Sequence, residues 1–166
     1  LGTRTIFNLL GPLTNPANAK KQLLGVYSKD LVSLHCNSLK KLGSKKAIVV
    51  HGLDGLDEIS LSSKTFINEL KDNKINEYIF DPTEYGYEFI NIEQIKGGDP
   101  EYNANCFNKM INGEYKPFQN IVEINAGVAI YLSGIVKNFK DGFSLARNTI
   151  NNGTTKDFVN SILNNE

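Results

Sequence analysis

Residues 23–58 read LLGVYSKDLVSLHCNSLKKLGSKKAIVVHGLDGLDE, and the reading of this stretch decides the fold. It opens on a short apolar run of strand type, residues 23–27, and contains a second, residues 47–51. Between them Ser28 offers an N-cap oxygen, and Leu31, Leu34, Leu39 and Leu42 mark the buried stripe of a helix. Lys40 and Lys41 suit the negative end of that helix's dipole, and Gly43 stops it. Strand, helix and strand within about 30 residues make a right-handed crossover with two parallel strands covered on both faces. Ligands of such sheets sit beyond the carboxyl ends of the strands. The segment that follows His51 is therefore where chemistry is expected.

That segment carries Asp54, Asp57 and Glu58, with Gly52 and Gly55 to let the backbone turn sharply. Magnesium is a hard cation that keeps several waters and is held by one or two carboxylates together with substrate phosphates. Asp57 and Glu58 suit that role. Asp54 suits equally a hydrogen bond to the backbone of its own turn, and an acidic, glycine-rich turn that binds nothing is the plainer alternative for all three. His51, at a strand end, is read as capping its strand through a backbone hydrogen bond and is given no catalytic role. His35, on the helix, is read as structural.

Toward the N-terminus, residues 4–17 read RTIFNLLGPLTNPA. An apolar run is broken by Gly11-Pro12 and again by Asn15-Pro16, so a helical turn leads into a rigid, polar loop. The chain has 16 lysines and only two arginines, Arg4 and Arg147. Arginine's planar fork grips a carboxylate or phosphate at two points, which lysine cannot copy. Arg4 is thus either an anion grip or an ordinary surface charge.

Downstream, residues 65–70 and 76–80 are β-prone runs separated by residues 71–74, an antiparallel hairpin added to the sheet. After Gly97-Gly98, Asp99 is an N-cap with Pro100 at the first helical position and Ala104, Phe107 and Ile111 on the apolar face. An acid at a helix start repels phosphate, so capping is preferred here to a phosphate cradle. Ile121, Ile124, Val128, Leu132 and Ile135 fall at helical spacing, with Ala126, Gly127 and Ala129 giving a smooth side. Phe139, Phe143, Ala146 and Ile150 repeat the pattern, and a last helix begins near Thr155.

At 166 residues and 40% hydrophobic content the chain suffices for one core, and a single domain over residues 1–166 is expected. Lys+Arg and Asp+Glu both number 18, which argues against a broad nucleic-acid-binding surface. No apolar run approaches the ~20 residues of a membrane span. Cys36 and Cys106 have no metal-ligand spacing and are expected to be buried free thiols of a reducing, cytoplasmic compartment.

Residues 4–17 closely resemble the segment that marks the anthranilate phosphoribosyltransferases of tryptophan biosynthesis. Residues 50–60 look like that family's metal-binding segment, residues 97–104 are a third match, and the helical end over residues 120–153 follows its layout. The resemblance implies an α/β fold, a mixed, mostly parallel sheet flanked by helices, of the nucleoside phosphorylase/phosphoribosyltransferase type. It implies transfer of the phosphoribosyl group of phosphoribosyl pyrophosphate to anthranilate. Mg2+ would be carried by Asp57 and Glu58, the anthranilate carboxylate by Arg4, and no residue would form a covalent intermediate. The complete protein is expected to be a homodimer.

The chain begins at Leu1, inside the first motif, so it is expected to be the C-terminal portion of the glycosyltransferase α/β domain, lacking the N-terminal helical domain. The family's glycine-rich phosphate loop is not among these residues, and the fragment is expected to be inactive alone. The rival readings are a non-catalytic nucleic-acid-binding protein of the same fold and a pyrimidine nucleoside phosphorylase.

Overall fold

The crossover forms, with its ends shifted by one or two residues, in the computed structural model, which describes residues 6–163. Strand β1 is Lys21–Gly25 and β2 is Lys46–Gly52, paired in parallel with Gly25 beside Val50. Ala47, Ile48, Val49 and Val50 of β2 are all 1% exposed or less. A continuous apolar strand needs cover on both faces, and β2 has it.

Helix α1 is Ile6–Leu10, extended by a 3-10 turn at Gly11–Leu13, and α2 is Asp30–Lys41. Ser28 does not cap α2. The N-cap position is Lys29, in helical conformation and without a side-chain cap, while the Ser28 carbonyl accepts the Leu31 N–H at 3.1 Å. Asp30 in the first turn and Lys40 and Lys41 in the last complement the dipole, and Gly43 ends the helix at φ +81°.

The buried face of α2 also differs from the leucine stripe. Val32, His35, Cys36 and Leu39 are buried, whereas Leu34 and Leu42 are more than half exposed. The first four residues share one side of the helix, and the sheet packs on that side. Val32, Cys36 and Leu39 join Val26, Ala47, Val49, Phe66 and Leu70 in one core, against which Leu13 of the N-terminal loop also packs. Burial pushes the Cys36 thiol up to about 11, against the pull of Lys40, so Cys36 acts as an inert apolar side chain. Cys106 is a free thiol of intermediate burial.

The hairpin pairs β3, Thr65–Lys71, with β4, Lys74–Phe80, and β2 pairs antiparallel with β3. Lys71 faces Lys74, so only Asp72 and Asn73 form the turn, at φ +50° and +60°. A two-residue hairpin turn of this kind needs positive φ at both positions, which Asp and Asn tolerate. The strand order is β1-β2-β3-β4. The sheet is mixed, as expected, and its parallel part among the described residues is the β1–β2 pair.

The described chain divides into two compact units, one up to Asp81 and one from Pro82 onward. The second unit starts with 3-10 turns at Pro82–Tyr85 and Ile92–Ile95, followed by α3, Pro100–Ile111. Asp99 caps α3 by accepting the Tyr102 N–H at 2.8 Å, and the Asn103 side chain clasps Gly98 through its N–H (2.8 Å) and its carbonyl (3.0 Å). The Gly97-Gly98-Asp99 segment is a helix cap, in keeping with the sequence. The face of α3 is not as expected: Met110 is buried, and Ala104 and Phe107 are exposed.

Helix α4, Lys116–Ser133, buries Ile121, Ile124, Val128 and Leu132. It stops at Gly134 (φ +89°), which leaves Ile135 beyond its end and exposed. Helix α5, Phe139–Asn151, is capped by Asn138, which accepts the Asp141 N–H at 2.9 Å. The smooth side of α4 works through Gly127, since a Cβ on Gly142 of α5 would lie 2.3 Å from the Gly127 carbonyl oxygen. Phe143, Ala146 and Ile150 of α5 are buried, and α6 is Thr154–Leu163. No described helix is long and apolar enough to cross a membrane.

Candidate functional site

The acidic segment leaves the end of β2 at Gly52 and doubles back over the strand ends. Gly52 donates its N–H to the Leu56 carbonyl (2.8 Å), Gly55 donates to the Gly52 carbonyl (2.9 Å), and Gly55 takes φ +98°. Only glycine enters that conformation without strain. The neighbouring strand is tied in at the same end. His51 Nδ1 lies 2.8 Å from the Val26 carbonyl, and the Val26 N–H donates to the Val50 carbonyl at 3.0 Å. His51 thus makes the backbone hydrogen bond expected of it, and its partner is at the neighbouring strand's end.

Asp54 is consumed by its own loop. Its Oδ1 accepts the Leu56 N–H at 3.2 Å, and its Oδ2 accepts the hydroxyls of both Ser60 and Ser62. Burial pushes the Asp54 carboxyl up, but these hydrogen bonds outweigh it and hold the group below the usual carboxylate range. Ser60 is fully buried; its N–H donates to Thr65 Oγ1 (2.9 Å) and its Oγ accepts the N–H of Ser62 (2.9 Å) and of Ser63 (3.2 Å). The loop is fixed by these polar contacts together with Ile59 and Leu61, which flank Ser60 and are fully buried. Sequence reasoning misses Ser60 and Ser62, because a serine-rich turn carries no distinctive signal.

Asp57 is exposed and Glu58 half-buried. Burial raises the Glu58 carboxyl above its ordinary value, and the charges of Asp57 and Asp54 raise it further. A cation at this point would oppose the second effect directly. Among the described residues, no three His, Cys, Asp or Glu side chains are grouped to hold a metal ion by themselves. The donor set here is two carboxylates, which fits a hard divalent ion whose remaining ligands are waters and phosphate oxygens.

The raised Glu58 gives a pH prediction. The folded value lies above the unfolded one, so the metal-free fold binds this proton more tightly than the unfolded chain does. That contribution to stability is fully present below the ordinary value of 4.5 and is lost as pH rises through the raised folded value. Glu58→Gln should therefore melt above wild type at neutral pH in chelator, with the gap closing below pH 4.5. Equal melting temperatures at both pH values would show that Glu58 is solvated like a free side chain.

Gly25 is a third residue that sequence reasoning misses, and it bears on the same loop. A Cβ there would lie 1.5 Å from the Asp57 carbonyl oxygen. An isolated glycine inside an apolar strand run is the signal that could have found it, since it marks close approach of another backbone.

The N-terminal loop is held mainly by local contacts. The Thr14 hydroxyl and N–H both donate to the Gly11 carbonyl at 3.2 Å, and the Ala17 N–H donates to Asn15 Oδ1 at 2.9 Å. His35 adds a longer tie, with Nδ1 2.9 Å from the Leu31 carbonyl and Nε2 3.1 Å from the Leu9 carbonyl. Its structural role is to pin α1 to α2. Arg4 lies outside the described residues.

Residues 1–156 match the family described as "Glycosyl transferase family, a/b domain". The chain is 44% identical over 163 residues to the anthranilate phosphoribosyltransferase of Thermoanaerobacter sp. (strain X514), covering 98% of this chain and 48% of the relative. Its fold is similar to the crystal structure of anthranilate phosphoribosyltransferase from Thermus thermophilus (TM-score 0.82, 38% identity, 92% of this chain and 45% of that one). It is similar also to the Saccharomyces cerevisiae anthranilate phosphoribosyltransferase in complex with PRPP and Mg (TM-score 0.79, 29% identity, 92% of this chain and 44% of that one). The chain spans about half the length of the curated relatives it matches.

Proposed function

Since this chain belongs to the glycosyl transferase family, a/b domain, we propose that in its relatives' full-length form it is an anthranilate phosphoribosyltransferase of tryptophan biosynthesis. The amino nitrogen of anthranilate forms a bond to the anomeric carbon of phosphoribosyl pyrophosphate. The bond from that carbon to the pyrophosphate oxygen breaks, its electron pair leaves with pyrophosphate, and the amine proton passes to solvent. What carries this reading is the Asp57–Glu58 pair on a loop fixed over the carboxyl ends of parallel β1 and β2, in a chain similar to a yeast enzyme solved with PRPP and Mg.

Asp57 and Glu58 would hold magnesium, and Asp54 would keep their loop in place. Bound there, the ion would supply charge neutralisation for pyrophosphate. Arg4 would grip the anthranilate carboxylate at two points. The reaction then rests on positioning and electrostatics, with no covalent enzyme intermediate. In this reading the full-length protein is a cytoplasmic homodimer, and the 166 residues alone are inactive because the phosphate loop is not among them.

The test is the loss of anthranilate fluorescence with phosphoribosyl pyrophosphate and magnesium, run on the full-length protein and on the 166-residue chain in parallel. Loss with the full-length protein only is expected, and no loss with either would remove the assignment. Arg4→Lys in the full-length protein should raise the KM for anthranilate about tenfold, because lysine is a point charge and not a fork. An unchanged KM would make Arg4 a surface charge.

A further inference from the structure

We propose that Gly25, on the strand next to the acidic loop, is a positioning residue for the Asp57–Glu58 pair: its missing side chain sets where both carboxylates stand. This rests on the magnesium reading above. Gly25 is the last residue of β1 and lies beside Val50, two residues before β2 ends at Gly52. The acidic loop descends onto it. A Cβ at Gly25 would lie 1.5 Å from the carbonyl oxygen of Asp57, 2.5 Å from its carbonyl carbon and 3.4 Å from its Cα.

All three of these atoms are backbone, so no side-chain rotation relieves the clash. Ordinary contact begins at 3.4 Å, so the peptide must retreat by about 2 Å, the difference from 1.5 Å. That peptide joins Asp57 to Glu58, and its planarity carries both α-carbons, and with them both carboxylates, in the same movement.

The loop has little slack to absorb such a shift locally. Three residues before Asp57, Asp54 is bound to Leu56, Ser60 and Ser62. Gly52 closes the base through the Leu56 carbonyl, and a Cβ there would in turn meet Asp54 Oδ1 at 2.4 Å. Magnesium demands near-ideal octahedral geometry with ligands at about 2.0–2.1 Å. A displacement of the size forced at Gly25 is comparable to a whole metal–oxygen bond. Gly25 is not among the positive-φ glycines, so alanine is tolerated there conformationally and the substitution tests the contact alone.

The experiment uses the full-length protein with Gly25→Ala and Asp57→Ala side by side. Magnesium activation curves are recorded with the maximum rate at saturating magnesium, and Mn2+ binding is followed by electron paramagnetic resonance with phosphoribosyl pyrophosphate present. Gly25→Ala should weaken Mn2+ binding and raise the half-activating magnesium concentration about tenfold, the size seen when a supporting residue of a metal ligand is lost. Much of the maximum rate should return at high magnesium. A residue that served only the fold would lower the melting temperature and leave the metal dependence unchanged.

If Asp57→Ala weakens metal binding and Gly25→Ala does not, the positioning role is overturned and the metal site stands. If neither changes it, the metal reading itself fails and this inference falls with it. Should Gly25→Ala give no cooperative melt, wild-type protein labelled with 15N-glycine decides the matter. Broadening of the Gly25 amide by substoichiometric Mn2+ supports the proposal, and undiminished intensity overturns it.

Discussion

Asp57→Ala in the full-length protein should raise the magnesium concentration for half-maximal turnover about a hundredfold, equivalent to about 3 kcal/mol. Of the three acids in the loop, Asp54 already accepts hydrogen bonds from Leu56, Ser60 and Ser62. That leaves Asp57, exposed, and Glu58, half-buried and beside the negative charges of Asp57 and Asp54. Removing one of two protein carboxylates from a hard-ion site takes away a full negative charge that water cannot replace. Activity assayed across magnesium concentration, with Mn2+ binding measured in parallel, checks this. Unaltered metal dependence would move the ion elsewhere in the full-length protein and leave the acidic loop a surface turn.

The second large effect lies in the helical unit and concerns stability. Arg147→Ala should destabilise the full-length protein by about 3 kcal/mol, read as a lower urea midpoint. Glu123 on α4 is fully buried. Its Oε2 accepts from Arg147 Nε at 2.9 Å, and its Oε1 accepts from Gln119 Nε2 at 2.7 Å, with Lys116 Nζ at 3.4 Å. Arg147 also stacks 5.4 Å from the centroid of the Tyr87 ring. Without the guanidinium the carboxylate is left with an amide, a lysine that is itself 57% exposed and the neighbouring Tyr87 hydroxyl among the described residues.

A buried charge stripped of its main partner is costly, whereas replacing the whole pair with apolar groups often is not. Glu123→Leu with Arg147→Leu should therefore recover much of the loss. A midpoint unchanged by Arg147→Ala would mean that the partners left to Glu123 satisfy it without the guanidinium. The stability of Arg147 as a cation points the same way: its hydrogen bond to Glu123 raises the guanidinium further above its ordinary value.

Local chemistry makes several of these elements legible in advance. Continuous apolar runs mark β1 and β2, Asp99 marks the start of α3, and the Asp54–Glu58 segment stands out by its charge and its place after a buried strand. Each of those signals depends on neighbours within a few residues, so the sequence carries it. The exposed leucines Leu34 and Leu42 mislead for the opposite reason. Periodicity says that α2 has an apolar side, but the sheet decides which side is covered, and it selects Val32, His35, Cys36 and Leu39. The same holds for Met110 on α3, buried where Phe107 is expected.

The contacts that bear most on the candidate site and on the helical unit join residues far apart in the chain. Gly25 meets Asp57 across 32 positions, His35 reaches Leu9 across 26, and Arg147 reaches Glu123 across 24. The strand–helix–strand order, the Asp99 cap and the acidic residues that follow β2 are written in the chain itself, because backbone preference and local spacing set them. Which helix faces are buried, which acid is spent on its own loop and which glycine must stay bare are settled only on folding, because these depend on which backbones then approach within van der Waals distance.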